Sequence, residues 1–555
     1  MRYHPPGLMS WERRGVAAVV AAPLSIVVLH AAATLQAALL GSPVGSAAWA
    51  MVLPVLAAGL MSWWKPSWTA AGLAAAATVV VAGAMGFLPW AFGPLSILAG
   101  VLSSALARRI ERALPRSVDD AWERSRPKVL AWAALSLLAL AQLARLSVFM
   151  TDNESSWGST FPPIEFTVGH MCMASYVHAA DLSRQDDPNL YAVEHYPNFG
   201  LTKAEDIETS VAGLQPYLDD SFHYPPPFLL LPRTWLALSN DYLVMRSVWF
   251  AFQVLSFIAI AVLLALWVGG SAGAWSLWML PLVVATMPTM FNFQFGQIHL
   301  FTIWTAIAAM LAFDTKRPVL GGLLLAGGIV SKLFPGILVL YLLFQKRWRD
   351  LAWTTVFGAA FAGLSLAVLG RAPFAQFFGY TLPRLLSGEA FSFATDPLVI
   401  TTNLSVPGMV WKLDFLGVEG ASEWLGPVST VYTLLILGAT WYAARLTPDR
   451  AGRARIWLTL LVLASLRSAL VPIYGVAPVL WLMSLELDDV ETTPGFVGFA
   501  LSWLFISSVP PAPNPAVTIA LYTVALLAML YWVLRPLRHW SESCPPSEPR
   551  VASTA

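Results

Sequence analysis

Apolar runs of roughly 20 residues, the length that crosses a hydrocarbon core, recur from Val16 to Trp532 and alternate with short basic connections. In lipid every backbone polar group must be satisfied within its own segment, so these runs predict helices and not a barrel of alternating strands. Lys and Arg gather in cytoplasmic loops. That rule puts Arg13/Arg14, the cluster at 108–128, Lys316/Arg317, Lys346/Arg347/Arg349, the cluster at 445–455 and Arg535/Arg538 inside. Four apolar segments, at about 16–40, 48–63, 68–87 and 90–107, fit between the first two clusters. A helix at 129–150 then carries the chain out and delivers the polar stretch 151–225 to the opposite face.

Further apolar segments are expected at 226–240, 243–268, 274–291, 297–313, 318–330, 335–345 and 351–370, and after a second outer loop at 371–425, at 427–444, 456–471, 473–486, 494–510 and 516–535. Several are too short to span untilted, and the crossing parity between Pro225 and Lys316 fails by one if all cross. The Pro-rich segment after Tyr224 is therefore expected to be re-entrant or partial, as is tolerated beside a protein cavity. The expected fold class is an all-α polytopic membrane protein. Its expected parts are an amino-terminal extension of about four transmembrane helices at 1–127, a transmembrane core at 128–540 and a disordered tail at 541–555.

Composition supports lipid as the solvent: 57% of residues are hydrophobic and 12% charged, far from the soluble average. A net charge of +1, with its cations scattered in short clusters, gives no reason to expect a nucleic-acid partner. The first run is longer than a signal-peptide core, so a retained helix is expected. Cys172 and Cys544 fall on opposite faces in this topology and should not pair. No repeat of 20–50 residues and no matching broken halves are visible.

The helix ending near Met150 runs into Thr151-Asp152-Asn153-Glu154, which sets two carboxylates at the outer membrane edge. A partly desolvated carboxylate there can accept a proton from a hydroxyl while a lipid-linked donor lies alongside; the structural alternative is a solvated helix end. The loop closes with Asp219-Asp220-Ser221-Phe222-His223-Tyr224 and three prolines that stiffen the entry to the membrane. Asp219 and Asp220 offer oxygen ligands suited to a divalent cation, although adjacent carboxylates are more often simply exposed. No other cofactor is called for. His170, His178, His195 and His223 lack zinc-like spacing, and no HExxH or paired CxxC accompanies them, so a zinc enzyme is not expected. Gln297 and His299 are polar groups at membrane depth, where bundle-interior placement and functional use are the default. Lys332, between two short apolar halves, and Arg467, near the outer end of its helix, are costly cations unless each meets an anion such as phosphate or snorkels to the interface. ATP, nicotinamide and serine-hydrolase motifs are missing from the sequence.

Tyr176-Val177-His178-Ala179-Ala180 with Asn189-Leu190-Tyr191, then Tyr224-Pro225-Pro226, Gly296-Gln297, Lys332-Leu333-Phe334-Pro335 and Asn403-Leu404-Ser405-Val406-Pro407-Gly408 follow in order over about 150–410. Together they resemble the GT-C superfamily of membrane glycosyltransferases, specifically its bacterial family-87 branch of mannosyl- and arabinofuranosyltransferase-like proteins. The resemblance implies a GT-C-like helical bundle with a long extracytoplasmic first core loop, in a bacterial inner membrane. It also implies inverting transfer of a sugar, mannose or similar, from a polyprenyl-phosphate donor to a hydroxyl of a lipid or glycan acceptor on the extracytoplasmic face. The family places an aspartate about four residues before the loop tyrosine, where this chain has Cys172. The base is therefore expected at Asp152, with Glu154 and Glu165 next, and His223, Tyr224, Gln297, His299, Lys332 and Arg467 are expected to bind donor or sugar. A transporter or flippase of a lipid-linked solute and a non-catalytic envelope-assembly subunit are the rival readings.

Overall fold

The computed structural model describes residues 105, 126–152, 156–162, 168–184, 189–197, 207–218, 220–391, 396–508 and 511–543. The four amino-terminal apolar segments, Glu154, Glu165, Asp219 and Cys544 lie outside the described residues. The described chain is helical, with one isolated β-bridge between Ala212 and Asp241 and no longer strand. It is a multi-pass membrane protein by the length and apolarity of its helices. Four are individually able to cross: Ala134–Thr151, Tyr242–Val268, Trp348–Leu369 and Pro515–Leu537. Gly270–Ala285 and Met287–Gln294, bent by 62°, are long and apolar enough only together, as a broken span or a re-entrant pair.

The segment after Tyr224 is a 3-10 turn, Pro226–Leu229, followed by the nine-residue helix Leu230–Leu238. At 1.5 Å per residue that helix is about 14 Å long and does not cross a bilayer. Ile298–Asp314 forms the centre of the bundle: nearly every side chain is buried, against Tyr242–Val268, Pro318–Ser331 and Arg450–Ser465. Trp348–Leu369, by contrast, exposes Val356, Leu364, Leu366 and Val368, the surface of a helix that faces lipid. The described residues of the loop 371–425 are not irregular. They contain short helices at Ala372–Gln376, Leu382–Ser387, Pro397–Thr402 and Met409–Phe415.

Charge orders the two ends of the bundle. Arg347 and Arg453 both bridge Asp314, at 2.9 and 3.0 Å, which joins three of the basic connections at the last turn of the central helix. Arg455 pairs with Glu486 at 3.3 Å and with Asp489 at 2.5 Å, and Arg535 lies 3.7 Å from Glu486. Gln297 precedes the first turn of the same central helix, 17 residues and about 25 Å away. The polar loop meets the bundle at that far end.

The loop is fastened by buried polar contacts. Arg246, fully buried, donates to the carbonyls of Phe149 and Met150, capping the helix Arg126–Thr151 where its last carbonyls lack partners. Its guanidinium also stacks on Phe149 and Tyr217, at 5.0 and 4.8 Å. Within the loop, Cys172–Leu182 forms a helix whose every residue is buried. This element was not expected from the hydropathy pattern, which marks the stretch only as a break between membrane runs.

Candidate functional site

Three segments converge at the loop end of the central helix. Gly296 sits at φ +63°, and a Cβ there would come within 2.7 Å of Met173 Cβ, so only glycine lets the two backbones approach. The contact is sealed by Met173 N–H donating to the Phe295 carbonyl at 3.0 Å and by Trp249 Nε1 donating to the Gly296 carbonyl at 3.0 Å. Gln297 is thereby set against the first turns of the loop helix. From the other side Pro225, Pro226 and Pro227 fix the turn that presents Tyr224.

The side chains then close into one network. Tyr176 and Tyr224 hydroxyls are 2.9 Å apart, and both donate to Gln297 Oε1, at 3.0 and 3.2 Å. Tyr474 also hydrogen bonds Gln297. Gln297 Nε2 donates to Cys172 Sγ at 3.3 Å, and His170 Nε2 lies 3.2 Å from the same sulfur and 3.8 Å from Asp220 Oδ2. Lys332, half-buried in an extended cap after Pro318–Ser331, holds its Nζ 5.7 Å from the centre of the Tyr224 ring and interacts electrostatically with Cys172 and Asp220. Tyr191 donates to the Tyr224 carbonyl at 2.9 Å.

Burial raises the Tyr176 and Tyr224 hydroxyls well above the ordinary phenol range, so both remain protonated donors. Burial pushes the His223 imidazole down to about 4; Asp220 opposes that shift and Arg384 adds to it. The ring is half-buried by area, but its Nε2 is enclosed and has no hydrogen-bond partner among the described residues. His299 stacks on Phe334 with centroids 5.2 Å apart and feels the charge of Lys332.

Of the residues expected from sequence, the structure brings His223, Tyr224, Gln297, His299 and Lys332 into this one region. The contact of Arg467 is with another helix: its Nε donates to Thr433 on Leu425–Ala443 at 3.2 Å. Asp152 is half-buried just past the end of its helix, with its N–H on the Val148 carbonyl at 3.0 Å. The carboxylate that faces His170, His223 and Lys332 is Asp220.

The stretch 403–408 is a structural clasp. Asn403 donates to the Ala469 carbonyl at 2.9 Å and accepts from Val471 N–H at 2.9 Å, and Ser405 Oγ bonds the Ser468 carbonyl. A Cβ on Gly408 would come within 2.1 Å of Asn403 Nδ2, which explains the glycine.

One comparison with known proteins finds a match over most of these elements. The model of glycosyltransferase family 87 matches residues 222–471. The match supports a glycosyltransferase, and it contains Tyr224, Gln297, His299, Lys332 and Arg467. It begins just after Asp220 and leaves out the helix that carries Cys172 and Tyr176. No curated protein and no solved structure matches the chain.

Proposed function

We propose that the chain is an inverting glycosyltransferase that moves a sugar from a polyprenyl-phosphate donor to an acceptor hydroxyl on the extracytoplasmic face, with Asp220 as the base. The observation that carries this reading is that one carboxylate, Asp220, lies within electrostatic reach of one cation, Lys332, whose ammonium is 5.7 Å from the ring of Tyr224, itself beside Tyr176. In a single displacement the acceptor O–H gives its proton to Asp220, and its oxygen bonds the anomeric carbon as the bond from that carbon to the phosphate oxygen breaks. The phosphate leaves with the electron pair. Lys332 supplies the positive group that its growing charge requires.

The position of the site supports the face. It lies at the opposite end of Ile298–Asp314 from the bridged basic connections, and basic loops favour the cytoplasm. The resemblance implies an aspartate where this chain has Cys172, and the nearness of Asp220, 3.8 Å from the same His170 nitrogen that lies 3.2 Å from the Cys172 sulfur, supports Asp220 as its substitute.

The test is turnover of a labelled polyprenyl-phosphate sugar by the purified full chain, read as release of free polyprenyl phosphate. Asp220→Asn should lower the rate by at least about 100-fold while donor binding is kept, because a placed base contributes roughly 10²–10⁴-fold. Asp152→Asn, Glu154→Gln and Glu165→Gln are run beside it. Loss in one of those three with a normal Asp220→Asn relocates the base, and no release from the wild type rejects the enzyme.

A further inference from the structure

Two residues at the start of the loop and one at its end aim their ligating atoms at a single point. His170, Cys172 and Asp220 each offer one atom, and the three atoms lie within 4.8 Å of one another. His170 and Cys172 are buried, whereas Asp220 is partly open. One ring nitrogen, His170 Nε2, faces both the sulfur and the carboxylate, at 3.2 and 3.8 Å. A catalytic relay would use the two nitrogens separately, one for the nucleophile and one for the carboxylate. Here the geometry is convergent.

We propose that His170, Cys172 and Asp220 bind a divalent transition-metal ion, and that zinc is the ion the set fits. Imidazole, thiolate and carboxylate are all zinc ligands, and three of them leave a fourth tetrahedral position for a water or substrate oxygen. Zinc bonds of about 2.0–2.3 Å in a tetrahedron put ligand atoms roughly 3.3–3.6 Å apart. The observed 3.2 and 3.8 Å lie on either side of that range, so the His170–Cys172 spacing has to open and the His170–Asp220 spacing to close by a few tenths of an ångström, with all three atoms already within 4.8 Å of one another. Gln297 Nε2 donates to the sulfur at 3.3 Å, an outer-shell hydrogen bond of the kind that steadies a metal-bound thiolate. A dipositive ion with one thiolate and one carboxylate is formally neutral, which suits a site whose neighbour is the cation Lys332. Asp220 meets His170 through Oδ2. The inference shares Asp220 with the proposed reaction but is read out by binding.

The experiment uses the full chain in detergent, stripped with a chelator and titrated with Co²⁺ and Zn²⁺. One equivalent of zinc should be retained, and Co²⁺ should give a thiolate charge-transfer absorption that Cys172→Ser abolishes and Cys544→Ser keeps. His170→Ala should weaken cobalt binding by at least about tenfold. If Cys172→Ser fails to fold, the wild type alone decides: its melting temperature should rise with Zn²⁺, fall back with chelator and ignore Mg²⁺. No zinc above the Mg²⁺ control, or an absorption that survives in Cys172→Ser, overturns the site. A metal-free wild type whose Asp220→Asn variant is inactive rejects the metal and keeps the base, whereas zinc binding with a fully active Asp220→Asn variant does the reverse.

Discussion

The hydroxyls of Tyr176 and Tyr224, 48 residues apart in the chain, stand 2.9 Å from each other and share one acceptor, Oε1 of Gln297. A single side-chain amide thus joins the loop helix, the loop's last turn and the start of the central membrane helix. Gln297→Leu removes that acceptor and leaves the enclosed hydroxyls without it. An unsatisfied buried polar group costs about 1–3 kcal/mol, whereas loss of one hydrogen bond costs about 0.5–1.5 kcal/mol. Thermal unfolding in detergent should therefore rank Gln297→Leu well below Tyr176→Phe, with the wild type highest, and turnover should follow the same order. Equal melting temperatures for all three would show that the network does not bind these segments together.

Most of the membrane helices were legible because hydropathy alone defines them: the expected segments at 243–268 and 351–370 compare with Tyr242–Val268 and Trp348–Leu369. The short, partial character of the segment after Tyr224 was legible too, from its prolines and the crossing parity. Cys172–Leu182 was not. Its burial comes from the loop folding over it, a tertiary effect that no local pattern encodes. The convergence of His170 and Cys172 on Asp220 was not legible for the same reason, since the three meet only in the folded loop. Gln297 and Lys332 stood out as polar groups in apolar surroundings. Arg467 stood out equally and turned out to bond Thr433, because hydropathy flags a costly cation without revealing its partner.

His223 gives the region a pH dependence with a definite sign. Burial lowers its imidazole to about 4, while in the unfolded chain it titrates near its ordinary 6.5. Both states are neutral above 6.5. As pH falls from there towards 4, the unfolded state takes up the proton and the folded state does not, so stability is lost. His223→Gln cannot titrate, and its melting temperature should fall less steeply over that window. Melting curves of both proteins at pH 7 and pH 4.5 make the comparison. Parallel decreases would place the imidazole in solvent, free of the enclosure seen around its Nε2.

Lys332 separates a phosphate partner from a snorkelling cation. It caps the helix Pro318–Ser331 in an extended conformation, and its ammonium lies over Tyr224 near Asp220. A lysine that merely reaches the interface would give the same cap, and its removal would cost packing and a favourable helix-end charge. A lysine that meets the donor phosphate also makes a charge-assisted hydrogen bond, worth about 1.5–3 kcal/mol, or roughly 10- to 100-fold in affinity. Lys332→Met keeps the aliphatic stem and deletes the charge. Donor affinity, measured with a non-hydrolysable polyprenyl-phosphate sugar analogue, should drop by that factor while the melting temperature changes little. Lys332→Arg should recover part of the loss, since the charge returns on a differently shaped head. An unchanged affinity in Lys332→Met would assign the residue to the interface and remove it from the phosphate.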